Sequence, residues 1–129
     1  MRVERRRGDE LYINDGAYGA LYDAAHIGWQ FPVRLLREPD SDVRDMGFSF
    51  YGPTCDDSDY MEGPFPLPGD TGPGDYIEIG MLGAYGCAMR TGFNGFGAVE
   101  THVVTDEPMA SLYVEREETP GLSGNVVTL

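Results

Sequence analysis

The sequence predicts an all-β fold of about seven short strands with little helix, arranged as a barrel or a sandwich. Its 129 residues are enough for one domain with one hydrophobic core. Glycine (18) and proline (9) are frequent for a helical protein and typical of a chain with many turns. Between those turns, short segments rich in apolar residues recur along the chain.

Seven segments are predicted as strands because apolar residues recur within each and turn residues separate them. They are 10–14, 31–37, 46–51, 75–79, 82–89, 98–104 and 110–115. The breaks include Asp15-Gly16, the acidic turn 38–40 and the stretch 63–74, which holds four prolines and four glycines. These turn residues favour short strands joined by tight turns.

Little helix is expected outside one segment. That segment, 17–27, is short and interrupted by Gly19, so it should form at most a turn or two. Residues 117–129 are expected to be a loose tail. The whole chain, 1–129, is therefore expected to be a single β-domain.

The basic residues of the chain are nine arginines, and there is no lysine. Without lysine the chain has no side chain for a Schiff base and cannot build a phosphate-loop NTPase site. A net charge of -13 opposes binding to nucleic acid or to anionic membranes, and it would attract a small cationic ligand. Taken alone, the acidity is also explained by solubility.

The expected location of the protein is the cytoplasm. Its two cysteines, Cys55 and Cys87, do not make a disulfide framework, and the basic start of the chain is not followed by the apolar run of a secretion signal. No run approaches the length of a membrane span. We therefore expect neither membrane nor nucleic acid among the partners.

Several common sites are not supported by residue spacing. The histidines and cysteines have no second ligand at the close spacing typical of zinc sites. The run 57–59 begins like a calcium loop, but Glu62 occupies the place that requires glycine and Pro68 ends the loop. The glycines at 92, 95 and 97 lack dinucleotide spacing, and no serine lies in a nucleophile elbow.

The stretch 52–59, Gly-Pro-Thr-Cys-Asp-Asp-Ser-Asp, is the strongest candidate for chemistry. Rigid turn residues would hold the Cys55 thiol beside three carboxylates. Carboxylates beside a thiol favour its neutral form, so Cys55 would donate a proton rather than act as a thiolate nucleophile. A half-buried cysteine in a solvated acidic turn explains the same residues without any function.

This stretch is one of four blocks that carry a family resemblance. The others are YINDGAYGALYD at 12–23, GDYIEIGMLGAYGCAM at 74–89 and FNGF at 93–96. In this order and spacing, over about residues 11–96, they resemble the C-terminal domain of the ornithine/lysine decarboxylase family. These pyridoxal-phosphate enzymes consist of an alanine-racemase-like barrel followed by a β-domain. Together with the strand pattern, we expect a Greek-key-like β-barrel here.

The resemblance implies that this chain is the C-terminal part of a decarboxylase. In the family, the lysine that binds pyridoxal phosphate, the phosphate loop and the acid paired with the pyridine nitrogen lie in the N-terminal barrel, which is missing from this chain. The implied partners are that barrel domain, a second subunit in a homodimer with shared active sites, and a diamino-acid substrate. The chain alone is expected to be inactive.

The family's functional residues correspond to six positions of this sequence. The resemblance implies that Cys55 protonates the substrate carbon after CO2 departs and that Asp56 pairs with the distal amino group of the substrate. It implies that Tyr85 hydrogen-bonds the cofactor phosphate and that Phe93 forms an aromatic wall of the substrate pocket. Tyr18 and Asp23 correspond to pocket residues, although the spacing between them is shorter than in the eukaryotic enzymes. Without the resemblance, Tyr85 and Phe93 would be assigned to the core.

Asp56 also limits the substrate. Diaminopimelate decarboxylases resemble this chain but carry glutamate at that place, together with an arginine for the distal carboxylate, so aspartate favours a substrate that ends in a cation. Ornithine and lysine differ by one methylene, a difference that no motif encodes, and arginine remains an alternative. Two other functions stay open: a non-catalytic regulatory relative, against which the retained Cys55, Asp56 and Tyr85 argue, and a free-standing barrel that binds polyamines.

Overall fold

A computed structural model describes residues 1–105, which contain six strands and very little helix. The strands are β1 (Val3–Arg7), β2 (Glu10–Ile13), β3 (Val33–Leu35), β4 (Asp45–Tyr51), β5 (Tyr60–Pro68) and β6 (Ile77–Ile79). The helices are α1 (Tyr22–His26) and α2 (Tyr85–Ala88), followed by a 3-10 turn at Phe93–Gly95. Neither helix is long or apolar enough to cross a membrane, and the described residues include no other α-helix.

Two sheets form the domain. The larger has the order β1-β2-β4-β5, in which β1 and β2 are antiparallel, β2 and β4 are parallel, and β4 and β5 are antiparallel. The smaller pairs β3 with β6 in antiparallel fashion. Backbone hydrogen bonds from Ile77 N to Met1 O (2.7 Å) and from Val3 N to Asp75 O (2.8 Å) connect the start of β1 to the segment that enters β6. The two sheets are therefore continuous at this side.

The core lies between the sheets and is rich in aromatic side chains. On β4 and β5 every second side chain points inward, and the rings of Phe50 and Phe65 stack with centroids 4.5 Å apart. The largest fully buried apolar side chains are Phe48, Phe50, Phe65, Leu11, Ile13, Leu21, Met61, Leu67, Ile77 and Val3. Because β4 and β5 are thus fixed on one face, the loop that joins them leaves the core at a defined position.

Four of the predicted strands are confirmed: 10–14, 31–37, 46–51 and 75–79 correspond to β2, β3, β4 and β6. The expected turn or two of helix within 17–27 is α1. The predicted strand 110–115 and the expected tail 117–129 lie outside the described residues.

Two predicted strands are wrong. Segment 82–89 turns into α2, where Gly86 N–H donates to the carbonyl of Leu82 at 3.2 Å, and positive φ angles at Met81 and Gly83 interrupt any extended run. Segment 98–104 forms no regular secondary structure and pairs with no described strand. Both predictions rested on apolar side chains alone, and such side chains do not ensure that another strand lies alongside to form backbone hydrogen bonds.

Two strands were not predicted, β1 and β5. The second of them, β5, carries prolines at 64, 66 and 68, which lack an N–H and are tolerated in a ladder only where their nitrogens face away from the partner strand. That outer edge consequently offers few donors to a further strand. Within residues 1–105 the sheets accordingly do not close into the expected Greek-key-like barrel, and the strands number six rather than about seven.

Candidate functional site

The loop between β4 and β5, residues 52–59, carries Cys55 and Asp56 and is called the Cys55 loop here. Tyr51 and Tyr60 pair across the two strands at its base. The N–H of Gly52 donates to the carbonyl of Asp59 at 2.9 Å, which closes the loop. The hairpin therefore presents both side chains at one end of the larger sheet.

The buried carboxylate of Asp59 holds this loop in place through hydrogen bonds. The side chain of Asp59 is 1% exposed, and its Oδ1 accepts a hydrogen bond from Ala17 N at 2.8 Å. Its Oδ2 accepts from Thr54 N (3.1 Å) and from Thr54 Oγ1 (2.8 Å). A Cβ at Gly16 or at Gly52 would overlap this carboxylate. The two glycines thus allow the loop and the residues after β2 to approach Asp59 closely.

Asp56 is held by donors on both of its oxygens. The hydroxyl of Tyr18 donates to Oδ2, while Ser58 donates to Oδ1 through its backbone N (2.9 Å) and its Oγ (2.8 Å). The hydrogen bond from Tyr18 is the main reason that the pKa of Asp56 lies below its usual range, and the same contact raises the pKa of Tyr18. Asp56 is therefore ionised and oriented at neutral pH.

Removal of the Tyr18 hydroxyl should raise the pKa of Asp56 toward the ordinary aspartate value. We expect the carboxyl of Asp56 to titrate below that value in the wild-type chain and closer to it in Tyr18→Phe, as followed by carboxyl-carbon NMR. Because the folded-state pKa is depressed, the contact stabilises the fold above the unfolded pKa, and this contribution is lost as the pH falls through the folded value. Equal titration in both chains would contradict the assigned contact.

Cys55 is exposed, and its sulfur has one hydrogen-bond partner among the described residues, Asn94, whose Nδ2 lies 3.3 Å away. The turn that carries Asn94 is tied to the segment after β2, because Thr91 N donates to the carbonyl of Tyr18 at 2.8 Å. The rings of Phe93 and Tyr18 stack with centroids 4.3 Å apart. Residues distant in sequence are thereby assembled around the Cys55 loop.

Cys55 and Asp56 face an open hollow of about 680 Å³. Aromatic side chains of Tyr12, Tyr51 and Phe96 line the same hollow. The hollow is open, so it is accessible to solvent or to another domain. A hollow of this size, with a few convergent polar groups, is typical of a site for a small molecule.

The structure brings together four of the six predicted site residues, namely Cys55, Asp56, Tyr18 and Phe93. Tyr85 lies on α2 with 65% of its surface exposed, and Asp23 lies in the first turn of α1. Of the six, Cys55 and Asp56 line the hollow, whereas the other four residues do not. A single site that includes both Cys55 and Tyr85 would need a bound molecule long enough to reach from the Cys55 loop to α2.

Sequence reasoning missed three residues of this site. Ser58 and Asp59 lie within the block 52–59 but were grouped as an acidic turn, and Asn94 lies within the block 93–96. A fixed local spacing, such as that of a zinc motif, would have marked such residues, whereas the contact between Asn94 and Cys55 joins positions 39 apart and has no local pattern. Among residues 1–105, no three histidine, cysteine or carboxylate side chains converge on a point where they could hold a metal ion.

The chain is similar to one family of known proteins. Residues 1–83 match the family model of the pyridoxal-dependent decarboxylase C-terminal sheet domain. Over 105 residues the chain is 35% identical to the ornithine decarboxylase of Mus musculus, a match that covers 78% of this chain and 22% of that protein.

Two solved structures are similar as well. The arginine decarboxylase of Paramecium bursaria Chlorella virus is 30% identical with a TM-score of 0.64, over 75% of this chain and 27% of that one. The lysine/ornithine decarboxylase of Vibrio vulnificus, complexed with cadaverine, is 26% identical with a TM-score of 0.63, over 81% and 29%. The chain thus spans less than a third of each of these relatives.

Proposed function

The chain belongs to the pyridoxal-dependent decarboxylases, as their C-terminal sheet domain, and from this premise we propose that the whole protein removes the α-carboxylate of ornithine or lysine to give a diamine. The observation that carries the proposal is the position of Cys55 and Asp56, which lie next to each other on one loop and face one hollow. A proton donor and a fixed anion side by side suit a substrate that must be held at one end and protonated at the other.

Asp56 is the proposed partner of the distal ammonium of the substrate. It is ionised, because its pKa is lowered, and it is oriented by Tyr18 and Ser58. A fixed carboxylate binds an ammonium through a charge-assisted hydrogen bond. Tyr18, which contacts Asp56, and Phe93, which stacks on Tyr18, are the proposed apolar wall for the alkyl part of the substrate.

Cys55 is the proposed proton donor. Once CO2 has left, the thiol transfers its proton to the α-carbon of the substrate, and the electron pair of the broken C–C bond forms the new C–H bond. The resulting thiolate regains a proton from water, to which the exposed side chain has access. The amide of Asn94 donates to the sulfur and so leaves the S–H group able to turn into the hollow.

Pyridoxal phosphate is the proposed cofactor, and when bound it draws off the electrons of the breaking carbon–carbon bond. The chain fits one wall of a site for this group: the exposed side chain of Tyr85 presents a hydroxyl that can donate to a phosphate. The chain contains no lysine for covalent attachment. We therefore propose that an N-terminal barrel domain, in a homodimer with shared active sites, supplies the lysine and the opposite wall of the hollow.

Release of CO2 from the full-length protein tests this function. With pyridoxal phosphate it should release CO2 from ornithine or lysine, and Cys55→Ala should lower kcat about 100-fold because general acid catalysis is lost. Cys87→Ala, at the other exposed cysteine, is the matched control and should keep full kcat. The chain 1–129 alone should release no CO2, since it lacks lysine. A full-length protein that releases none would favour a regulatory relative and contradict the proposal.

Arginine is the rival substrate, because one of the similar structures is an arginine decarboxylase. A polyamine-binding domain is the rival of another class. Calorimetry with putrescine on the chain 1–129 separates it from the enzyme proposal, which expects only weak binding to half a site.

A further inference from the structure

We propose that Ser58 makes Asp56 selective for a primary ammonium against a guanidinium, by occupying one carboxylate oxygen completely. Ser58 thereby acts as a positioning residue through Asp56 and sets the class of substrate. The inference rests on the proposed function, in which Asp56 binds the distal cation.

The argument begins with the lone pairs of the Asp56 carboxylate. An ionised carboxylate accepts about four hydrogen bonds, two on each oxygen. Ser58 donates twice to Oδ1, from its backbone N at 2.9 Å and from its Oγ at 2.8 Å. Tyr18 donates once to Oδ2. One acceptor position on Oδ2 is left for a ligand.

The two classes of distal cation make different demands on such a carboxylate. A guanidinium is planar and binds best through two parallel N–H···O bonds, one to each oxygen. Asp56 cannot offer that pair, since Oδ1 has no acceptor position left. An ammonium is a compact charge with three rotatable donors, so a single acceptor position suffices for one charge-assisted hydrogen bond. The remaining ammonium donors can be solvated in the open hollow.

The hydroxyl of Ser58 lies at the surface of the loop, in contact with both Asp56 and Tyr18. The Ser58 side chain is exposed and has Asp56 Oδ1 as its hydrogen-bond acceptor, so its hydroxyl can be removed without opening the core. Loss of the hydroxyl would return one acceptor position to Oδ1. The backbone N–H of residue 58 would remain, and both oxygens could then accept from a guanidinium.

Steady-state kinetics of the full-length protein test the inference. We expect kcat/KM for the better of ornithine and lysine to exceed that for arginine about 100-fold, with the difference mainly in KM. Ser58→Ala should narrow this ratio at least about fivefold, whereas Ser58→Thr, which keeps the hydroxyl, should leave it unchanged. Ser41→Ala, at an exposed serine of another turn, controls for a general effect of losing a hydroxyl.

Competitive inhibition by putrescine and by agmatine supplies a second measurement that does not depend on the chemical step. The ratio of the inhibition constant for agmatine to that for putrescine should be the same in the wild type and in Ser58→Thr, and it should be lower in Ser58→Ala. The inference is overturned if the wild type uses arginine as efficiently as the diamino acids, or if Ser58→Ala leaves both ratios unchanged. Failure of the wild-type protein to release CO2 from any of the three amino acids would instead overturn the proposed function, and the inference with it.

Discussion

Substitution of Gly52 by alanine is expected to destabilise the domain by about 3 kcal/mol. The added methyl would overlap the carboxylate of Asp59, which is buried and fixed by three hydrogen bonds. Either that carboxylate moves and leaves the N–H groups of Ala17 and Thr54 unpaired, or the backbone of the loop shifts. Urea unfolding of the two chains, compared at equal m-value, measures the loss.

Gly72→Ala is the matched control for this prediction. A Cβ at Gly72 would have its nearest neighbour at 3.9 Å, which is ordinary van der Waals contact. Alanine there should change the free energy of unfolding by less than about 1 kcal/mol. If both substitutions lower the free energy of unfolding equally, the packing of Gly52 against Asp59 does not determine the shape of the Cys55 loop.

Asp56→Asn should weaken substrate binding most among single changes in the site. In the full-length protein we expect KM for ornithine or lysine to rise about 100-fold with a smaller change in kcat, because the ammonium loses its charged partner. The new amide would also have to turn an NH2 group toward the donors of Tyr18 or Ser58. Steady-state CO2 release at several substrate concentrations measures both constants.

Asp57→Asn removes the same charge from the neighbouring residue and serves as the control. Asp57 lines the same hollow as Asp56, but its side chain is exposed and oriented by no hydrogen bond among the described residues. We expect KM to change less than about threefold, since an exposed charge contributes little to binding. Equal effects at Asp56 and Asp57 would mean that the site attracts cations by overall charge and has no specific partner for the ammonium.

The strands that follow simple rules were predictable from the sequence. In β2 and β4, Leu11, Ile13, Phe48 and Phe50 alternate with exposed or half-buried residues, which is the period of a strand with one buried face. The start of the Cys55 loop directly after β4 followed from the same alternation, whereas the returning strand β5 did not. The short helix α1 was limited correctly by Gly19.

The strands that were missed break those rules. Three alternate prolines made β5 look like a loop, although an edge strand accepts them. The basic start of the chain was not among the predicted strands, yet β1 buries Val3 and pairs with β2 through a tight turn at Gly8, whose φ is 62°. In both strands, hydrogen bonding to the adjacent strand of the sheet decided the structure, and the composition of the segment itself did not reveal it.

The candidate site was predictable in its residues and less so in its contacts. Adjacent Cys55 and Asp56 marked the loop, and the family resemblance added Tyr18 and Phe93. The stacking of Phe93 on Tyr18 and the contact of Asn94 with Cys55 join segments far apart in sequence. Such pairs arise from tertiary packing of turns and leave no periodic signal in a single sequence.

Complementation between two inactive full-length variants is the most direct test of the central claim, that the Cys55 loop completes an active site on the cofactor barrel of a partner subunit. One variant carries Asp56→Ala and the other lacks the lysine that binds the cofactor in its N-terminal barrel. Random mixing gives half heterodimers with one intact site each, so about a quarter of the wild-type CO2 release should return. No recovery after demonstrated subunit exchange would contradict the account, because Cys55 and Asp56 would then act within their own chain.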